Sequence, residues 1–320
     1  AGQWKLLRSF LGQLFGKESI YVLAWIKAAL DSLDAGEPWT PGQLLAVAGP
    51  PDCGKSVFQS LLTPILGGRI SSPYPYMSGQ TNFNAEIYGA EHGLIGDEQH
   101  KHDRDSRRAF GAAIKRMCVN PEQYIHGKHR GALTLNAFIR LSLTLNDNPH
   151  ALLVLPELDS DVADKIILVQ ATPVKFPFPT KEYPTKHDYS EALKTELPAM
   201  VHHLRKWQIP DEIANRRYGV ISYKSPGLIQ KMQSLSVEWK LWNLIEMYLW
   251  TGDVTEIWEG TAIDLEKDLR NRAKNQKLDW LFFYPGACGA MLTTLSASLP
   301  EQIIVSKSKG RANTYTIVRT

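Results

Sequence analysis

The residues best equipped for chemistry lie close together near the start of the chain. Gly49, Gly54, Lys55 and Ser56 meet the pattern G-x-x-x-x-G-K-[ST]. That spacing suits a nucleotide's phosphates. The two glycines let the backbone of Gly49, Pro50, Pro51, Asp52, Cys53 and Gly54 curl with its N–H groups turned inward. Lys55 is placed to neutralise the β- and γ-phosphates, and the Ser56 hydroxyl to ligate Mg²⁺. Val57 carries the segment into a helix whose positive end faces the same oxygens. The expected ligands are ATP and Mg²⁺.

Hydrolysis needs more than a phosphate cradle. Gly93-Leu94-Ile95-Gly96-Asp97-Glu98 reads as a strand ending in two acids. Asp97 would hold Mg²⁺ and Glu98 would orient and polarise the attacking water. Two exposed acids at a strand end is the plainer reading, and the loop upstream favours the catalytic one. Arg140–Asn146 is an apolar strand closing on an amide. Asn146 there could sense the γ-phosphate or the water by hydrogen bonding, although such an Asn is also an ordinary turn former. Between them, residues 123–133 read as a hairpin tipped by Lys128, His129 and Arg130. Three such groups suit contacts to a nucleic-acid backbone, or a solvated turn.

Elements must hold these residues in place. Residues 3–36 read as two helices broken at Gly16-Lys17, with Trp4, Leu7, Phe10, Leu11 and Leu14 at helical spacing. They form a helical collar over residues 1–40. From 44 to about 170 strands alternate with helices, as an α/β sheet requires, with strands expected at 44–48, 92–96, 123–127, 132–136, 139–145 and 166–170. Residues 172–188 hold four prolines and mixed charge and read as a loop or linker rather than a packed element. Residues 190–250 read as helical. The predicted division is a collar (1–40), an α/β core (41–190), a helical extension (191–250) and a small unit (251–320).

In that last unit, helices at 261–274 and 286–298 precede a hairpin over 303–318. Lys307, Lys309 and Arg311 make its turn basic. Helices followed by a basic hairpin is the layout of a winged helix that contacts DNA or a partner; a packing unit with a solvated turn has the same pattern.

Composition narrows the rest. The 320 residues carry a net charge of +3, so any nucleic-acid site must be a local patch. Three widely spaced cysteines, Cys53, Cys118 and Cys288, fit no metal pattern and suggest a reducing compartment. No apolar run approaches membrane-spanning length, and a cytoplasmic setting is expected. His100 and His102 sit at i, i+2, on different faces of a helix, which argues against a metal site. The chain opens at Ala1 without Met, which fits a piece of a longer protein.

Taken in order, the loop, the acidic pair, the Lys128-His129 hairpin and the strand ending at Asn146 resemble the superfamily 3 helicases, motors of the AAA+ class. The match looks closest to the helicase part of primase–helicases of phages, satellites and plasmids, and covers about residues 1–250. The resemblance implies a hexameric ring, with ATP between neighbouring subunits and Lys128 and His129 gripping one DNA strand in the channel. It implies a bacterial host cell and a primase domain or partner. The family usually supplies an arginine finger after the sensor strand; here that region offers Lys165, a point charge without the planar fork. Arg104, Arg107, Arg108, Arg216 and Arg217 stay open as alternatives.

The expected function is an ATP-driven DNA helicase. An initiator or loader that uses ATP only to assemble on DNA is the alternative. A kinase fits less well, because a kinase needs an acceptor pocket and not a cationic hairpin.

Overall fold

The unbroken apolar run Leu44–Gly49 forms a strand buried on both faces, as a central parallel strand must be. The computed structural model describes residues 2–36, 40–96, 104–120, 122–128, 131–156, 158, 161–233, 237–250, 257–273, 277–306 and 312–319. Within these the chain forms two units, residues 1–231 and 232–320.

In the first unit, α1 (Lys5–Phe15) and α2 (Ser19–Ala35) lead into β1 (Leu44–Gly49) and α3 (Lys55–Ile65). Then come β2 (Ile70–Ser71), the short α4 (Tyr74–Met77), β3 (His92–Ile95) and α5 (Arg104–Val119). A hairpin of β4 (Glu122–Ile125) and β5 (Leu133–Asn136) precedes β6 (Arg140–Asn146), the short α6 (Pro149–Leu152) and β7 (Ile166–Gln170). The unit closes with α7 (Lys186–Thr195), α8 (Leu197–Lys206), the two-residue strands β8 (Ala214–Asn215) and β9 (Gly219–Val220), and α9 (Pro226–Gln233).

Five strands make one sheet in the order β2-β3-β6-β1-β7, every pair parallel. The fold is therefore mixed α/β with a central parallel sheet. The two N-terminal helices share one core with it. Phe10 and Leu14 of α1, and Trp25 and Ile26 of α2, pack in the same cluster as Leu45, Val47, Phe58, Leu62, Ile167 and Leu193. Each such side chain contributes about 1.5–3 kcal/mol by leaving water.

Two expectations are corrected. Residues 172–185 carry no regular secondary structure, as the prolines require, but they are packed. Val174 is buried, and Phe176, Phe178 and Tyr183 lie against the main core. Nor is 190–250 continuously helical. After Lys206 the chain runs through turns and the β8–β9 hairpin before α9, with Ile213 and Val220 anchoring it in the core.

The second unit contains α10 (Val237–Tyr248), β10 (Ile257–Thr261), α11 (Ala262–Arg272), α12 (Ala287–Ser298), β11 (Ile303–Ser306) and β12 (Thr314–Val318). Its strands form an antiparallel sheet ordered β10-β12-β11. Helix α10 belongs here rather than to an extension of the preceding helices, because Leu241, Trp242, Leu244 and Ile245 bury against Leu265, Leu292 and Ile317. The expected basic turn, Lys307, Lys309 and Arg311, lies outside the described residues.

Candidate nucleotide site

The loop between β1 and α3 is shaped by two left-handed residues, Asp52 with φ 56° and Gly54 with φ 115°. At Gly54 any side chain would be strained by φ and would also meet the Phe176 ring, 3.3 Å from an added Cβ. Gly49 is required for a different reason. A Cβ there would lie 2.5 Å from the Ala171 carbonyl oxygen.

Lys55 is the first residue of α3 and is buried. Its Nζ donates to the carbonyl oxygens of Gly49 (2.8 Å) and Pro50 (2.7 Å), which fixes the ammonium inside the curl of the loop. Ser56 follows on the exposed face of the first turn. A cavity of about 240 Å³ opens here, lined by Pro51, Asp52, Cys53, Gly54, Lys55, Ser56 and Val57 of the motif segment.

Two residues of β6, Thr144 and Asn146, line the same cavity. Strand pairing puts Asn146 level with Gly49. Asn146 Oδ1 is buried and has no hydrogen-bond partner among the described residues. Such an acceptor is costly unless something in the cavity donates to it. With the Ser56 hydroxyl it also offers oxygens of the kind that Mg²⁺ and its bound waters take, so the residues present fit that ion.

The acidic pair, Asp97 and Glu98, lies outside the described residues, as do His100 and His102. Strand β3 runs parallel to β6 with Ile95 level with Leu143, so the chain leaves the sheet at Gly96 on the edge that carries the phosphate loop.

A buried hydrogen-bond network, not foreseen from the sequence, ties these strands to α3. Gln59 Nε2 donates to the Ile95 carbonyl (3.0 Å) and to Ser142 Oγ (2.9 Å), while its Oε1 accepts from Thr144 Oγ1 (3.2 Å). Ser142 Oγ also meets His92 Nε2 at 2.7 Å, and His92 Nδ1 meets Thr63 Oγ1 at 2.8 Å. Burial pushes the His92 imidazole down to a pKa of about 4, so the ring is neutral and can accept at one nitrogen. Neither Gln59 nor His92 sits in a motif; only the fold brings them together.

Two further cavity residues were also missed. Phe176 and Lys186 come from the proline-containing segment and the start of α7. No spacing rule points to them.

Lys165 is not brought to this cavity. It precedes β7 at the level of Leu44, the far edge of the sheet from Gly49. Its Nζ donates to Asp164 Oδ1 (2.5 Å) and the Asp161 carbonyl (2.8 Å). Burial alone would raise the Asp164 carboxyl, but hydrogen bonds from Lys165 and Tyr218 outweigh it and hold the group below the usual range. The exposed Arg217 guanidinium stands 3.9 Å from the other Asp164 oxygen.

Lys128 is exposed just beyond β4, while His129 and Arg130 lie outside the described residues. Strands β4 and β5 pair antiparallel, as the hairpin reading requires. Asn84 clamps the first arm: its Nδ2 donates to the Tyr124 carbonyl (2.8 Å) and its Oδ1 accepts from the His126 N–H (2.6 Å). Tyr124, Leu133 and Leu135 expose apolar surface on the arms.

Loop, sheet and cavity define an α/β protein with a glycine-containing loop and a cavity at the carboxyl edge of its parallel strands. Among solved structures the fold is similar to the apo structure of the NrS-1 C terminal region (305-718), with a TM-score of 0.59 and 13% identity over 98% of this chain and 75% of that one. The A form apo structure of the same region gives a TM-score of 0.57 at 12% identity with the same coverage. At these identities the likeness shows a shared fold. No protein-family model matches the sequence, and no curated protein matches it. Among the described residues no helix is long and apolar enough to cross a membrane.

Proposed function

We propose that this chain is the ATPase motor of a DNA helicase serving replication of a phage, satellite or plasmid. The observation that carries the reading is Asn146, which lines the same cavity as Lys55 and Ser56 and whose buried Oδ1 has no hydrogen-bond partner among the described residues. A phosphate loop alone binds a nucleotide. A polar group poised at the neighbouring strand end is what hydrolysis adds. The fold shared with the NrS-1 C terminal region and the order of motifs resembling the superfamily 3 helicases support the same reading.

In this reading the loop amides and Lys55 take the β- and γ-phosphates. Ser56 and Asp97 would hold Mg²⁺, which when bound supplies charge neutralisation at those phosphates. Glu98 orients and polarises the attacking water, and Asn146 hydrogen-bonds that water or the γ-phosphate.

The reading extends to a ring, a hexamer in the family it resembles. Lys165 and the exposed Arg217 lie at the sheet edge away from their own loop, where a neighbouring subunit's nucleotide could be reached. Arg217 fits the finger role better, because its guanidinium is exposed while Lys165 Nζ is committed to Asp164. Lys128, with His129 and Arg130, would grip single-stranded DNA. The second unit runs helix, strand, helix, helix, hairpin, the order of a winged helix, and Lys307, Lys309 and Arg311 would form its wing.

The test is ATPase activity of the purified protein with and without single-stranded DNA, with the oligomer mass recorded alongside. Stimulation by DNA from a ring-sized particle, followed by strand separation, supports the helicase. ATP-dependent DNA binding and hydrolysis without unwinding would support the initiator or loader instead. Hydrolysis indifferent to DNA, from a monomer, overturns both.

A further inference from the structure

The segment after β7 is tied directly to the phosphate loop. Ala171 N–H donates to the Ala48 carbonyl at 2.7 Å, Thr172 N–H to Leu14 at 2.8 Å, and Val174 N–H to Cys53 inside the loop at 3.3 Å. The Phe176 ring stands edge-on to Tyr189, with centroids 5.9 Å apart. These contacts set where α7 begins. Its start is then fixed by a reciprocal cap in which Thr185 Oγ1 accepts from the Asp188 N–H while the Asp188 carboxylate accepts from the Thr185 N–H.

Lys186 is the first residue of that helix, and it lines the nucleotide cavity. Its side chain is exposed, and among the described residues it makes no hydrogen bond or ion pair. A cation at the positive end of a helix is disfavoured by the backbone dipole. An anion in the cavity reverses that balance, because it is attracted to the ammonium and the helix end together.

We propose that Lys186 is a second phosphate ligand of the nucleotide, supplied by the same chain from outside the motif. The inference rests on the nucleotide reading above and adds a charged contact to it. The group recognised is the polyphosphate tail, so the contact strengthens ATP and ADP and leaves an uncharged nucleoside indifferent.

The experiment is equilibrium binding of a fluorescent ATP analogue to the full chain, with thermal melting of each variant. Lys186→Ala is expected to weaken binding about tenfold or more, the usual cost of one charged contact. Lys186→Arg is expected to stay within about threefold of the parent, since it keeps the charge. Lys175→Ala, at an exposed lysine of the same segment that does not line the cavity, is expected to change nothing. Wild-type affinity in Lys186→Ala, with binding lost in Lys55→Ala, overturns the Lys186 assignment and leaves the nucleotide site standing. Equal loss in Lys186→Ala and Lys186→Arg with lowered melting points also overturns it, since the residue then only supports the fold. No binding by the parent chain overturns both readings.

Discussion

Asn146 stands level with Gly49 across the parallel pairing of β6 and β1, and its buried Oδ1 has no partner among the described residues. The glycine ends the strand that opens the motif loop, so the amide is held beside the cavity by backbone register rather than by a mobile loop. Asn146→Ala is expected to cut ATP turnover about 10- to 100-fold, as loss of a positioned polar group does, while ATP affinity stays within about threefold. Its melting temperature should not fall, because the variant removes an acceptor that was costly to bury. Steady-state kinetics and melting on the same samples check this, and unchanged turnover would remove Asn146 from the site.

Lys55 faces a different demand. Its ammonium already bridges the Gly49 and Pro50 carbonyls, so it is placed before any phosphate arrives. Lys55→Ala is expected to lower hydrolysis at least about 100-fold, since the β- and γ-phosphate charge loses its partner. Glu98→Gln, in contrast, should bind ATP and turn it over slowly. A Lys55→Ala enzyme that hydrolyses normally would mean the motif is not the phosphate site.

How far the sequence reached can be judged from particular residues. The phosphate loop is legible because its constraints are local: φ of 115° at Gly54 and the 2.5 Å approach of Ala171 to an imagined side chain at Gly49 both demand glycine. The six longer strands of the first unit are legible for the same reason, each being an apolar or alternating run. Strand β2 is missed because two residues give no period. Phe176 and Lys186 are missed because proline and mixed charge describe the backbone of 172–188 but not what covers it. What covers the segment is decided in part by the loop at Cys53 and Gly54, more than a hundred residues away in sequence. Gln59 and His92 look like ordinary residues of a helix and a strand until the sheet is assembled around them.

Gln59 carries a stability prediction. It hydrogen-bonds the Ile95 carbonyl, Ser142 and Thr144 in the interior. Gln59→Leu matches its bulk and removes all of these bonds at once, leaving buried polar atoms unpaired. The expected cost is about 2–3 kcal/mol, measurable as a lower urea midpoint with an unchanged slope. A loss under about 0.5 kcal/mol, the scatter of a neutral surface change, would mean the network does not tie α3 to the strands.

Lys128 tests the DNA side. It is exposed at the end of a hairpin arm that Asn84 holds in place, so removing its charge should leave the arm intact. Lys128→Ala is expected to keep basal ATPase, to weaken single-stranded DNA binding, and to reduce the salt dependence of that binding by about one counterion. Titrations at several salt concentrations give both numbers. Equal affinity and equal salt slope in the two proteins would take the hairpin out of the DNA path.

His92 links the interior to pH. Burial holds its pKa near 4, against an ordinary value of 6.5. Between those values the unfolded chain takes up a proton that the folded chain refuses. Stability contributed by the neutral ring is therefore present above pH 6.5 and is lost as pH falls towards 4, by roughly 3 kcal/mol across the window. His92→Gln keeps a hydrogen-bonding side chain and does not titrate, so its unfolding free energy should fall less steeply than the parent's over that range. Urea unfolding at several pH values between 4 and 6.5 gives the two slopes. Parallel slopes would show that His92 accepts its proton as readily in the fold as outside it, and that the ring between Thr63 and Ser142 is not held neutral.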